Sequence, residues 1–70
     1  MKLSARNELH GTIEAVHHGA VTTTVRIRIA DDLVLTSSIT LDAANDLGLK
    51  AGDEVAAIIK SSDVMIGIAS

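Results

Sequence analysis

Seventy residues with no cysteine, no proline and no aromatic side chain leave little material for a self-sufficient core. A domain this short usually needs a staple, and without cysteine neither a disulfide nor a thiolate metal site is available. A formal net charge of −3 and the lack of any ring for base stacking argue against a general nucleic-acid binder.

The staple that remains is oligomerisation. Hydrophobic residues make up 47% of the chain and are almost all Val, Ile, Leu and Ala. Several stretches are apolar on both strand faces, more than a lone small barrel can hide. No apolar run approaches membrane-spanning length and no signal-peptide core opens the chain, so the expected location is the cytoplasm.

One domain covering residues 1–70 is expected, without linker or repeat. Residues 4–17 read as the first strand, with Leu9, Gly11, Ile13 and Ala15 on one face and His10, Thr12 and Glu14 on the other. Gly11 inside it signals a bulge or a close backbone approach. His17-His18-Gly19-Ala20 forms a turn. Residues 21–30 are the cleanest strand: Val21, Thr23, Val25, Ile27 and Ile29 alternate with Thr22, Thr24, Arg26 and Arg28. Asp31-Asp32 turns into a third strand at 33–40, with Leu33, Leu35, Ser37 and Ile39 on one side.

Residues 41–47 predict a short helix. Thr40 suits its N-cap, Asp42 its first turn and Gly48 its C-terminal stop. Lys50-Ala51-Gly52-Asp53 is a turn. Strands are then expected at 54–60 and 64–68, both apolar on both faces. Three strands, a helix and two strands give the order of an all-β, five-stranded OB-type barrel. That fold carries many functions.

Chemistry concentrates at two places. Ser4, Arg6 and Asn7 lie just before the first apolar-patterned strand, and Lys60, Ser61 and Ser62 follow the fourth. A tetrahedral dianion needs positive charge and many donors. Arg supplies a planar fork, Lys a point charge and Ser a rotatable hydroxyl. Taken alone, such a cluster is more often an ordinary solvated surface, since short polar clusters are common. Thr36, Ser37, Ser38 and Thr40 offer further hydroxyls, which β-propensity and capping also explain. His17 and His18 point to opposite faces and would not share an ion, so no bare metal site is expected. No carboxylate is paired with a nucleophile or base, and neither a phosphate loop nor a triad pattern occurs, so no enzyme activity is expected.

Taken together, Met1-Lys2-Leu3-Ser4-Ala5-Arg6-Asn7, Leu9-His10-Gly11, Gly19-Ala20-Val21, Ile39-Thr40, Leu47-Gly48-Leu49-Lys50-Ala51-Gly52 and Val55-Ala56-Ala57-Ile58-Ile59-Lys60-Ser61-Ser62 resemble the Mop (molbindin) family of small molybdate- and tungstate-binding proteins. The likeness spans nearly the whole chain. It implies an OB-type barrel whose protomers pair by exchanging strand contacts and whose dimers assemble into a hexamer, a trimer of dimers. It implies molybdate or tungstate as the bound ligand, at subunit interfaces, with no organic cofactor, for intracellular molybdenum storage and homeostasis.

Carried over residue by residue, the main oxyanion site would use Ser4, the backbone at Ala5, Arg6, Thr40, Lys60 and Ser61, with Ser62 beside them. A second site would use Gly19, Ala20, Val21 and Thr22. The chain departs from the family pattern at three positions. His18 stands where a Lys or similar residue is usual, Thr22 where many relatives carry Asn, and Ala43 where some carry Ser. A competing reading from another class is an OB-type nucleic-acid or protein-interaction module, with Arg26 and Arg28 as its support. A third is a purely structural assembly domain.

Overall fold

The computed structural model describes residues 6–69. Four strands form one antiparallel sheet: β1 (Asn7–His18), β2 (Thr22–Ala30), β3 (Leu33–Thr40) and β4 (Glu54–Ile59), in the order β3-β2-β1-β4. A short helix, α1 (Leu41–Leu47), follows β3, and a single 3-10 turn, Ser61–Asp63, follows β4. The all-β class and the helix between the third and fourth strands match the expectation.

β1 is the spine of the sheet. Its second half pairs with β2, from Thr12↔Arg28 to His18↔Thr23. Its first half pairs with β4, from Asn7↔Ile59 to Thr12↔Glu54. One long strand therefore serves two neighbours and curls the sheet around a core. Ile13, Val25 and Ile27 are buried there, with Val16, Ile29, Ile39, Leu49, Val55 and Ala57 packed against them.

Strict alternation along β1 fails at one point. The register slips between Ile13 and Ala15, so Glu14 is the extra residue of a β-bulge. Ile13 opposes Ile27 and faces inward, but Ala15 opposes Arg26 and Val16 opposes Val25. The inner face is thus Leu9, Gly11, Ile13 and then Val16, and Ala15 belongs to the outer face, contrary to the sequence pattern. The bulge also carries Glu14 to Arg28, whose Nε and Nη2 both donate to its Oε1, and within 4.0 Å of Arg26. His17 and His18 are strand residues, not turn residues, and point to opposite faces as alternation requires.

Gly11 marks the second expectation for this strand, a close approach. A Cβ there would lie 2.6 Å from the Arg28 carbonyl oxygen and 2.8 Å from Ile29 Cδ1. Backbone cannot yield as a side-chain tip can. Gly11→Ala is therefore expected to cost about 2–3 kcal/mol of stability, read as a lowered midpoint in urea denaturation with an unchanged slope. A midpoint within experimental error of the parent would show that β1 and β2 separate freely here.

The helix is bounded as its caps dictate. Thr40 Oγ1 accepts from Ala43 N–H at 3.1 Å, and Gly48 adopts a left-handed conformation (φ 63°, ψ 38°) while its N–H bonds to Ala44 and Asn45 carbonyls. Ala44 is its one buried side chain.

The fifth strand is the main departure. Residues 64–69 form no strand in the single chain. Val64 leaves the 3-10 turn extended, and Met65, Ile66 and Ile68 are each at least 93% exposed. A strand needs an edge to pair with, and the turn sends the segment away from its own sheet. The sheet consequently stays open: β3 and β4 are both edges. Across the gap, Leu35, Ser37 and Ile39 face Val55, Ala57 and Ile59 around an apolar groove of about 510 Å³.

Candidate functional site

The antiparallel pairing of β1 with β4 decides which candidate residues meet. Asn7 opposes Ile59, and its side-chain Nδ2 donates to the Ile59 carbonyl at 3.2 Å. Arg6 immediately precedes this rung and Lys60 immediately follows it. Both emerge at the same end of the sheet, with Ser61 and Ser62 on the adjoining turn, and all four are exposed. Asn7, grouped with the donors on sequence grounds, is instead a clamp that ties the two strands. Its signal was available in principle, since a carboxamide opening an edge pair can satisfy a terminal carbonyl. Ser4 and Ala5 lie outside the described residues.

Charge pairing separates these two cations from the others. Arg26 and Arg28 share Glu14, Arg28 also donates to the Asp31 carbonyl, and Lys50 lies 3.3 Å from Asp53. Among the described residues, neither Arg6 nor Lys60 has a carboxylate within ion-pair distance. Two unpaired cations and two hydroxyls at one strand end form a donor-rich, acceptor-poor surface suited to a dianion.

The second candidate set is built differently. Gly19 N–H donates to Thr22 O at 2.8 Å, closing the turn between β1 and β2. A Cβ on Gly19 would lie 2.8 Å from that same oxygen, so the turn requires glycine. Leu41 N–H donates to Val21 O at 2.9 Å, which docks the start of α1 on this turn. Gly19, Ala20, Val21 and Thr22 are all exposed.

Thr40 lies with this second set. It opposes Thr22, whereas Arg6 and Lys60 lie at the far end of β1. Twelve residues of strand separate the two ends, roughly 35 Å of contour. In the register of the sheet, Thr40 and the Arg6–Lys60 pair thus belong to opposite ends of β1. The Thr40 hydroxyl accepts from Ala43 N–H, which leaves its own proton free to donate elsewhere.

The histidines make no metal centre. His10 lies 3.4 Å from Glu8, His17 faces outward, and His18 Nδ1 lies 3.1 Å from Oγ1 of the fully buried Thr23. Among the described residues no group of three or more His, Asp or Glu could hold an ion. Among them, too, no helix is long and apolar enough to cross a membrane.

Comparison with known proteins identifies the family of the fold. The TOBE domain model matches residues 3–66. Molybdenum-pterin-binding protein 3 of Clostridium pasteurianum is 52% identical over 66 residues, covering 94% of this chain and 97% of that protein. MopII from Clostridium pasteurianum, in an apo crystal structure, superposes with a TM-score of 0.88 at 43% identity, over 96% of this chain and all of that one. ModG, a cytoplasmic molybdate-binding protein solved with molybdate bound, superposes with a TM-score of 0.91 at 39% identity, over 99% of this chain and 49% of that one. The fold and the match define a TOBE domain of the class found in small binding proteins. Within that class, the chain belongs to the Mop family of molybdenum-pterin-binding proteins.

Proposed function

We propose that this chain binds molybdate and tungstate as bare oxyanions, between copies of itself, to store and buffer intracellular molybdenum. The observation that carries this reading is the pairing pattern of its cations. Arg6 and Lys60 share one strand end without a carboxylate partner among the described residues, beside Ser61 and Ser62. With Ser4, the Ala5 backbone and Thr40 they make the main site. Because Thr40 lies at the other end of the sheet, it comes from another copy. Gly19, Ala20, Val21 and Thr22 make a second site. No group in either set pairs a nucleophile with a base, so the anion is held and released unchanged. Binding, not catalysis, is the activity, and no organic cofactor is used.

Assembly follows from the open sheet. The β3 edge presents Leu35–Ile39 and the β4 edge Val55–Ile59 to the same apolar groove. The five residues Val64–Ile68 match each of these edges in length, and the Val55–Ile59 edge in hydrophobicity as well. Inserted between β3 and β4 of a second copy, this segment becomes the fifth strand and closes the OB-type barrel. Protomers thus pair by exchange, and dimers assemble further into a hexamer. The whole of residues 1–70 acts as one such domain, in the cytoplasm.

A nucleic-acid role is disfavoured because Arg26 and Arg28, its only candidate contacts, share the Glu14 carboxylate, and the chain has no aromatic ring and a net charge of −3. Sulfate shares the charge and shape of molybdate but is smaller. Phosphate is partly protonated near neutral pH and asks for an acceptor, which the site offers only through its hydroxyls.

A thermal melt tests the reading. Ligand bound only by the folded assembly stabilises it by mass action. Molybdate at saturating concentration is expected to raise the midpoint by roughly 5 °C or more, and sulfate at equal ionic strength by much less. Equal shifts with both anions would reduce the site to a generic anion patch. No shift with anion-stripped protein would end the proposal.

A further inference from the structure

The residues that supply donors to the main site are also the joint between β4 and the apolar tail. Lys60 leaves β4 in an extended conformation (φ −63°, ψ 142°). Ser61–Asp63 then makes one tight turn, in which Asp63 N–H donates to Lys60 O at 2.9 Å and Val64 N–H to Ser61 O at 3.3 Å. Among the described residues, no side chain from Lys60 to Asp63 makes a hydrogen bond or ion pair. Two main-chain bonds are a weak hold for a turn that sets the direction of everything after it.

We infer that oxyanion occupancy at Arg6, Lys60 and Ser61 governs how fast the Val64–Ile68 segment leaves and re-enters its neighbour, so that ligand loading and subunit exchange are coupled. This rests on the site and assembly proposed above. A dianion draws the Arg6 guanidinium, the Lys60 ammonium and the Ser61 hydroxyl onto one centre through charge-assisted bonds. Arg6 stands at the start of β1, which is anchored on both sides by β2 and β4. The loaded turn is thereby pinned to the rigid spine of the sheet. The tail can swing out only by distorting a turn that the ligand clamps. In the empty state the same turn gives way easily, and the cations repel one another across it. By linkage, whatever the anion adds to the assembly, the assembly adds to the affinity for the anion.

The test mixes unlabelled and heavy-isotope-labelled protein and follows mixed oligomers by native mass spectrometry. Anion-stripped protein is compared in sodium chloride and in sodium molybdate at equal ionic strength, with binding measured in parallel by calorimetry. Molybdate is expected to slow exchange by about tenfold or more, equivalent to the loss or gain of one charge-assisted contact. Arg6→Gln in the same molybdate solution is expected to exchange at the chloride rate. Binding heat with unchanged exchange would overturn the coupling and leave the binding reading standing. Slowed exchange that persists in Arg6→Gln would place the effect elsewhere and overturn it too. The absence of both heat and slowing would overturn the coupling and the binding reading together.

Discussion

Arg6→Gln and Lys60→Gln are each expected to weaken molybdate binding by at least about tenfold in titration calorimetry, while Arg26→Gln changes it by less than about twofold. The reason is where each cation spends its charge. Arg26 lies within 4.0 Å of Glu14 on the outer face of β2, and its removal only unburdens a carboxylate that Arg28 still holds. Among the described residues Arg6 and Lys60 have no such partner, which leaves their charge to a ligand. A charge-assisted hydrogen bond is worth about 1.5–3 kcal/mol, and each 1.4 kcal/mol is a factor of ten. Gln keeps a donor and removes the charge, so the comparison isolates electrostatics. All three substituted side chains are exposed, so none of the substitutions should unfold the chain. Equal losses for Arg6, Lys60 and Arg26 would mean that affinity reflects net charge rather than a site.

A larger effect on assembly is expected from the tail. Ile66→Asp should dissociate the oligomer in analytical ultracentrifugation and lower the melting midpoint by about 10 °C or more. Val64, Ile66 and Ile68 share one face of an extended segment, with Met65 and Gly67 on the other. The three β-branched or bulky side chains suit the groove between Leu35–Ile39 and Val55–Ile59. Burying one Ile is worth roughly 1.5–3 kcal/mol, and placing a carboxylate there instead adds a desolvation cost. Repetition of the contact in every copy multiplies the loss. Met65→Asp, on the opposite face, should perturb the assembly less. If Ile66→Asp sediments and melts like the parent, the tail is not the closing strand.

How far the sequence could be read depended on how local each cause was. β2 and β3 were visible because Thr23, Val25 and Ile27 alternate with Thr24, Arg26 and Arg28, and every one of these signals lies within a few residues. The helix was equally plain, since Thr40 and Gly48 are the residues its two ends require. The bulge at Glu14 was invisible, because Glu-Ala fits either face until β2 is in place to show the slip. Gly11 announced the close approach but not the neighbouring bulge. Val64–Ile68 has the pattern of a strand, but pattern alone does not supply an edge to pair with, and in the single chain the segment stays exposed. Thr40 was legible as a cap and as a hydroxyl. That it lies at the opposite end of the sheet from Arg6 and Lys60 became apparent only with the β1–β4 and β2–β3 registers.

The uncovered β3 and β4 edges have a consequence for the birth of the protein. Among the described residues a newly made chain carries two unpaired strand edges and an exposed apolar segment, Val64–Ile68, with no lysine or proline in it to discourage mispairing. If the tail of a second copy fills the groove as proposed, maturation is a second-order event that quickens with synthesis rate. Scarce transcripts would leave orphans exposed to chaperones and proteases for longer, and abundant ones would complete each other quickly. Protein made this way accumulates as a threshold phenomenon: below a certain rate of production it is cleared, and above it the pool persists.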